Sequence, residues 1–177
     1  MNLFLAPKGS YKKNNFLGGT ILKTLIACYS YSGHTLKVAE ALKTKINADL
    51  TNIKSEKDDW YLFKLWKALR ENKVPIKPCQ TDLMNYDGLV LCSPVWGGKT
   101  PPAINKYLSE LINVKGKHFG VFITSGGNRS QKATIQMREY LDGQGMQFLG
   151  QMRLLAKDVE EEKYGEIFDL FAKKFVD

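Results

Sequence analysis

Residues 24–46 read TLIACYSYSGHTLKVAEALKTKI, and this stretch decides the fold. It opens with an apolar run, residues 24–29, of the kind found in strands that are buried on both faces of a parallel sheet. From Leu36 to Ile46, apolar side chains recur three and four residues apart, which predicts an amphipathic helix. A buried strand that leads through a turn rich in Ser and Gly into such a helix is the first half of a βαβ unit.

The same alternation of short apolar runs and amphipathic segments continues along the chain. The runs at 88–92 and 119–124 are apolar throughout, so they are predicted as central strands. A weaker strand is predicted at 49–54, and the imperfect alternation of 146–154 is typical of a strand near an edge. The predicted buried side of that strand consists of Met146, Phe148, Met152 and Leu154. The whole pattern predicts an α/β fold, a doubly wound parallel sheet of five strands.

Further amphipathic stripes predict helices around 104–111, 133–141 and 167–175. In the last of these, the predicted buried stripe is Ile167, Leu170, Phe171 and Phe175. Another helical stripe lies within 58–78, and we interpret its additional aromatic residues as packing of an irregular crossover.

The chain has 177 residues, 44% of them hydrophobic, which suits one globular domain and excludes wholesale disorder. Residues 1–22 show neither helical nor strand period, so we expect a flexible N-terminal extension before a single domain at 23–177. No apolar run approaches the ~20 residues that a membrane-spanning helix needs. The three cysteines are odd in number and widely spaced, which is typical of a cytoplasmic protein with buried free thiols and no metal site.

The net charge is +8, but basic residues are interspersed with acids rather than collected in one block. This distribution favours phosphorylated small ligands or an acidic protein partner over nucleic acid. A solvated basic face without a specific partner is the alternative interpretation.

Ligands of a doubly wound sheet bind outside the carboxyl ends of its strands, so the loops that follow those strands form the candidate site. Three of these loops are rich in Gly, Ser and Thr. The candidate residues are Ser30, Tyr31, Ser32, Gly33, His34, Thr35, Pro94, Val95, Trp96, Gly97, Gly98, Thr124, Ser125, Gly126 and Gly127. In the first loop, the hydroxyls of Ser30, Ser32 and Thr35 accompany the free N–H groups and positive dipole end of a helix, which together favour a phosphate. A hydroxyl-capped helix start without a ligand is the alternative.

Other nucleotide-binding and catalytic motifs fit poorly. Residues 97–100, Gly-Gly-Lys-Thr, resemble the end of a Walker A motif, but Pro101 and Pro102 would then fall inside the helix that the motif requires. Thr100 is instead predicted as an N-cap, with Pro101 at the first helical position. Neither histidine has the setting of a hydrolase base. A phosphoacceptor domain would need carboxylates where the first and third strands end in serines.

Taken together, the loops resemble the flavodoxin family. Its phosphate loop, T/S-x-T/S-G-N/H-T, matches residues 30–35, and its P-x-W-x-G type second loop matches Pro94, Trp96 and Gly98. The resemblance covers residues 23–177 and implies the strand order 2-1-3-4-5 with flavin mononucleotide (FMN) as cofactor. By position, it makes the first loop the phosphate cradle and the other two the walls of the isoalloxazine slot. Trp96 then offers a stacking face, and the glycines let the backbone approach the ring.

The resemblance implies a redox protein that passes electrons or hydride from NAD(P)H to a small acceptor such as a quinone. The alternatives are a flavodoxin-type electron carrier for a partner protein and a binding module without turnover. Typical carriers are acidic, whereas these loops contain Lys99 and Arg129, and no acid occurs at 88–109 or 118–138. Cations near the ring stabilise the negative charge of the fully reduced flavin, which favours two-electron chemistry.

Overall fold

The computed structural model describes residues 15–16, 19–20, 22–56, 73–127 and 130–176. Two short strands near the start, β1 (Asn15–Phe16) and β2 (Gly19–Thr20), pair in antiparallel fashion. Most of the predicted N-terminal extension lies outside the described residues, and so does most of the helix predicted within 58–78. The described part of that segment contains no helix, and Ile76 there forms an isolated bridge with Ser55.

A five-stranded parallel sheet forms the centre of the molecule. Its strands are β3 (Thr24–Cys28), β4 (Asp49–Asn52), β5 (Gly88–Pro94), β6 (His118–Ser125) and β7 (Gln147–Leu155). Their spatial order is β4–β3–β5–β6–β7. This is the order 2-1-3-4-5 along the chain, so the predicted α/β fold is confirmed. β5 and β6 are buried over nearly their whole length, as expected for central strands.

Helices cover both faces of the sheet. They are α1 (His34–Ile46), α2 (Pro102–Glu110), α3 (Gln131–Gly143), α4 (Ala156–Glu160) and α5 (Gly165–Lys173). Tyr107 and Met137 are buried in the core under α2 and α3, and Leu42 and Val159 in the core under α1, α4 and α5. Because successive side chains of a strand point to opposite faces, each central strand contributes to both cores.

The start of α2 differs from the prediction by one residue. Pro101, predicted as the first helical residue after a Thr100 N-cap, is itself the N-cap, and the helix begins at Pro102. The ring of Pro102 disfavours the helical conformation at the residue before it, so Pro101 stays extended with ψ of 146°. The side chain of Thr100 instead forms a hydrogen bond of 2.9 Å with Oε1 of Gln136, which links this loop to α3.

β7 is an edge strand as predicted, and the four side chains predicted to be buried are buried or half-buried, but they do not lie on one face. Met152 and Leu154 pack on the side of α1 and α5, whereas Phe148 packs on the side of α2 and α3, as does Met146 just before the strand. The register with β6 shifts between Phe119 and Gly120 because β7 contains one extra residue at that point. Such a bulge reverses the side to which the following side chains point.

The buried face of α5 also differs from the predicted stripe. Ile167 and Leu170 are 43% and 61% exposed, while Phe171 and Phe175 are buried against the sheet. Gly120 makes room for the two rings, because a Cβ at Gly120 would lie 2.7 Å from Cζ of Phe175 and 3.0 Å from Cζ of Phe171. The sheet therefore needs a glycine at this position.

Cys28 and Cys92 are buried and lie side by side on β3 and β5. Burial raises the pKa of the Cys92 thiol well above its ordinary value, so this thiol stays protonated. In the part of the chain that the structure describes, no group of three or more His, Cys, Asp and Glu side chains could hold a metal ion. None of the described helices is long and apolar enough to cross a membrane.

Candidate functional site

Thr124, near the end of β6, is the point at which the three candidate loops meet. Its Oγ1 forms a hydrogen bond of 2.6 Å with Oγ1 of Thr35 at the start of α1. Its carbonyl oxygen accepts a hydrogen bond of 2.9 Å from the N–H of Val95 in the second loop. Thr35 and Thr124 are only 1% and 4% exposed, so both contacts are shielded from water. The structure thus brings the three predicted loops together at the carboxyl edge of the sheet.

The first loop ends at Gly33, the N-cap of α1, in the left-handed conformation with φ of 91°. Residues with a Cβ rarely adopt this conformation, which explains a glycine here. The N–H of Lys37 donates to the carbonyl of Gly33, so the N–H groups of His34 and Thr35 precede the first intrahelical bond and lack a partner within the helix. The first turn of α1 contains no acid. This helix start therefore attracts an anion.

The three hydroxyls of the first loop have different roles. Oγ of Ser30 accepts a hydrogen bond of 3.2 Å from the N–H of Leu36, so Ser30 caps α1. The hydroxyl of Thr35 joins the first loop to the third, as described above. Oγ of Ser32 lies 2.7 Å from Nδ1 of His34. Of the three, only Ser32 is exposed, and it is the hydroxyl most accessible to a ligand.

Acidic side chains from the segment after β7 reach the first loop. Oε1 of Glu160 on α4 lies 2.8 Å from Nε2 of His34, and Oε1 of Glu162 lies 2.7 Å from Nζ of Lys37. The hydrogen bond between Lys37 and Glu162 lowers the pKa of Glu162 and raises that of Lys37. Sequence analysis missed Glu160 because it lies 126 residues from His34 along the chain. Its only signal was the acidic run 160–162, which is also typical of a solvated surface.

The second loop is a tight turn. Trp96 and Lys99 exchange two backbone hydrogen bonds of 2.9 and 3.0 Å around Gly97 and Gly98. Both glycines have positive φ, 55° and 83°, as a type I′ turn requires. The turn lies directly after the half-buried Pro94 and Val95 and exposes the side chain of Lys99.

Trp96 is the aromatic residue predicted to offer a stacking face, and the structure buries it. It is only 8% exposed and contacts two tyrosine rings edge-on, with centroid distances of 5.9 Å to Tyr29 and 5.8 Å to Tyr31. Tyr31 is 48% exposed. The ring that these loops present to solvent is therefore that of Tyr31, with Trp96 behind it.

The third loop leaves its backbone open. Oγ of Ser125 donates to the carbonyl of Gly127 at 2.8 Å, which holds the loop in shape. Gly126 and Gly127 are exposed, and a Cβ at either position would meet no atom of the described residues within 4 Å. Neither glycine has positive φ, so the fold itself does not demand them. Arg129, the second cation predicted to lie near the ring, is outside the described residues.

Comparison with known proteins shows one matching family and several similar solved structures. The sequence profile of the flavodoxin family matches residues 23–168. Comparison with curated protein sequences gives no match.

Three solved structures illustrate the structural likeness. A flavoprotein from Lactobacillus acidophilus NCFM, crystallised in complex with FMN, is 26% identical with a TM-score of 0.59, over 81% of this chain and 99% of that one. Oxidised flavodoxin 2 from Bacillus cereus is 22% identical with a TM-score of 0.56, over 86% and 97%. A WrbA-like flavodoxin from Agrobacterium tumefaciens is 17% identical with a TM-score of 0.52, over 87% and 99%. The last two, at these identities, show a common fold alone.

Proposed function

This chain belongs to the flavodoxin family, and we propose that it is an FMN-binding redox protein that passes electrons or hydride from NAD(P)H to a small acceptor such as a quinone. When bound, FMN supplies one- and two-electron redox chemistry that protein side chains lack. The observation that carries the proposal is the meeting of three loops rich in Gly, Ser and Thr at Thr124. This meeting point lies at the carboxyl edge of a doubly wound sheet, where such folds bind ligands.

The first loop fits the phosphate of FMN. It offers the N–H groups of His34 and Thr35, which have no partner within the helix, the dipole of α1 and the exposed hydroxyl of Ser32. Ser30 and Thr35 shape the cradle by capping α1 and by tying the loop to the third one. The flavoprotein from Lactobacillus acidophilus, which was crystallised with FMN, supports the same cofactor for this chain.

The second and third loops fit the flat isoalloxazine ring. Tyr31 presents an exposed aromatic side chain that the buried Trp96 supports from behind. Gly126 and Gly127 are exposed and lack the side chains that would keep a ring away from the backbone. Because the fold does not require these glycines, their presence is explained by close approach of a ligand.

Charge favours the enzyme over the electron carrier. Lys99 is exposed on the second loop. Among the described residues, the acids that reach the site are Glu160 and Glu162, which pair with His34 and Lys37 of α1 at the phosphate end. A ring without acidic neighbours accepts the negative charge of full reduction more readily, which suits hydride transfer from NAD(P)H. The second candidate is a flavodoxin-type carrier. The net charge of +8 supports it, because such a carrier would recognise an acidic partner protein.

Binding of FMN and riboflavin to the flavin-free protein tests the cofactor assignment, since the two flavins differ only in the phosphate. A hydrogen bond to a charged acceptor is worth roughly 1.5–3 kcal/mol, so at about pH 6 Ser32→Ala should weaken FMN binding about tenfold or more and leave riboflavin binding unchanged. Ser109→Ala is the matched control, because the hydroxyl of Ser109 donates to the carbonyl of Lys106 on α2. Equal affinity of the parent for both flavins, or no binding, would contradict the assignment.

Anaerobic titration with dithionite separates enzyme from carrier. We expect direct passage from oxidised to fully reduced flavin, and steady NAD(P)H oxidation when a quinone is supplied. A strong, long-lived absorption band of one-electron-reduced flavin at half reduction, together with no NAD(P)H oxidation, would assign the protein to the carriers instead.

A further inference from the structure

A chain of two hydrogen bonds runs through the first loop and out to α4. Oγ of Ser32 lies 2.7 Å from Nδ1 of His34, and Nε2 of the same ring lies 2.8 Å from Oε1 of Glu160. The carboxylate of Glu160 can only accept, so Nε2 of His34 carries a hydrogen whatever the charge of the ring. The hydrogen between Ser32 and His34 is therefore the one whose position depends on protonation.

Protonation of His34 changes what Ser32 can do. When the ring is neutral, Nδ1 is an acceptor and the hydroxyl of Ser32 must donate to it, which leaves only oxygen lone pairs facing an anion. When the ring is charged, Nδ1–H donates to Oγ of Ser32, and the hydroxyl hydrogen of Ser32 is free to turn toward a phosphate oxygen. One proton thus adds a positive charge and releases a donor in the same loop.

We propose that the Ser32–His34–Glu160 chain is a proton-linked selector for the phosphate group of the flavin, with Glu160 as the positioning residue that holds and stabilises charged His34. The proposal rests on the proposed function, because it assumes that the phosphate of FMN lies at the first loop. The proton comes from solvent, which reaches the pair because His34 is 25% and Glu160 63% exposed. Binding of FMN then takes up a proton, whereas binding of riboflavin does not.

The other charges around His34 leave this assignment in place. Lys37, one turn along α1, is neutralised by Glu162, and Glu161 pairs with Lys163 at 2.7 Å. Glu160 is therefore the acid in the described residues that contacts the ring. Without charged His34 between them, Glu160 would repel a phosphate at the first loop. Its presence there is explained if the imidazolium separates the two anions.

The test compares FMN and riboflavin affinities near pH 6 and near pH 8.5, a range that spans the titration of imidazole side chains. The phosphate of FMN itself titrates near pH 6, so His34→Asn, which keeps that titration, is the reference. The preference is the ratio of the FMN affinity to the riboflavin affinity, and the parent's preference is divided by that of His34→Asn. We expect this quotient to fall about tenfold from the lower to the higher pH, because one charge-assisted contact is lost. The penalty of Ser32→Ala should shrink in parallel.

Two carboxamide variants isolate the role of Glu160. Glu160→Gln keeps an acceptor for Nε2 but removes the charge, so the FMN preference should persist only at lower pH than in the parent. Glu161→Gln, whose parent side chain pairs with Lys163 instead, should behave like the parent. Calorimetry in buffers of different ionisation enthalpy should show more proton uptake with FMN in the parent than in His34→Asn.

The two proposals fail differently. If the parent and His34→Asn show the same pH dependence of the preference for FMN, the selector is overturned and the phosphate site is not. Equal affinity for FMN and riboflavin at both pH values would overturn the phosphate site and the selector together.

Discussion

Removal of the hydroxyl of Thr35 tests whether the bond between Thr35 and Thr124 holds two loops together. Thr35→Val keeps the branched shape but leaves the Thr124 hydroxyl without its partner in a site that is 4% exposed. A buried hydroxyl that loses its partner costs about 1–3 kcal/mol of the free energy of unfolding. For a domain of this length, each kcal/mol corresponds to roughly 2–4 °C in Tm. We therefore expect Tm to fall by roughly 2–12 °C.

A double-mutant cycle separates this bond from other effects of the substitution. Thr124→Val should cost a similar amount, whereas Thr35→Val/Thr124→Val places methyl groups together and should recover about 1–2 kcal/mol of the summed losses. Urea unfolding of the flavin-free protein measures all four free energies. Thr134→Val is the control partner, since the hydroxyl of Thr134 bonds to the carbonyl of Ser130 instead, and its effect should add to that of Thr35→Val.

The same variants distinguish positioning from direct contact. If Thr35 acts by holding the loop, FMN affinity falls about tenfold in Thr35→Val but recovers in the double valine variant along with stability. Additivity of the two valine substitutions within about 0.5 kcal/mol would refute the coupling. A double variant that is stable yet still binds FMN poorly would return Thr35 to the phosphate cradle as a direct ligand.

Three further predictions concern the sheet, the third loop and pH. Gly120→Ala should lower the free energy of unfolding by about 1–3 kcal/mol, because its Cβ would overlap two buried rings. Gly150→Ala on the neighbouring strand should cost less, because its Cβ would meet the flexible side chain of Lys174. Thermal unfolding of the two variants tests this difference. Gly126→Ala should leave Tm unchanged, because no described residue would contact its Cβ, and it should weaken binding of FMN and riboflavin alike, as measured by flavin titration. The hydrogen bonds from Asn113 and from the N–H of Met84 lower the pKa of Asp82. Ionised Asp82 therefore stabilises the fold above about pH 4, and this stabilisation is lost as pH falls. The difference in Tm between the parent and Asp82→Asn should be largest at neutral pH and should vanish in acid.

Local patterns in the sequence were sufficient for the sheet and for the three loops. Continuous apolar runs predicted β5 and β6, since a strand buried on both faces has no polar side. The order of the strands in the sheet followed from the resemblance to flavodoxins. The same kind of reasoning failed at α5, where Ile167 and Leu170 fit the helical period but are exposed. Periodicity detects an apolar stripe, but the neighbouring elements decide which part of it is covered.

Two parts of the site could not have been predicted in this way. The hydroxyls of Ser30, Ser32 and Thr35 are equivalent in the sequence, and only the structure assigns them to a cap, to His34 and to Thr124. The position of Trp96 in the second loop predicted an exposed ring that could stack on a ligand. In the structure, the ring packs against two tyrosine rings and is buried. A hydroxyl or an aromatic ring can contact several kinds of partner. Which partner it contacts depends on the residues, distant in the sequence, that the fold places beside it.

The sequence by itself determined the class of fold, the loops of the candidate site and a helix start that suits an anion, because each depends on residues that are close along the chain. Tertiary structure alone decided the bulge that turns the side chains of β7, the bond between Thr35 and Thr124, and the approach of Glu160 to His34 across 126 residues. Contacts between distant residues leave no period or spacing in the sequence. They form only when the sheet has placed its loops and α4 at the same edge.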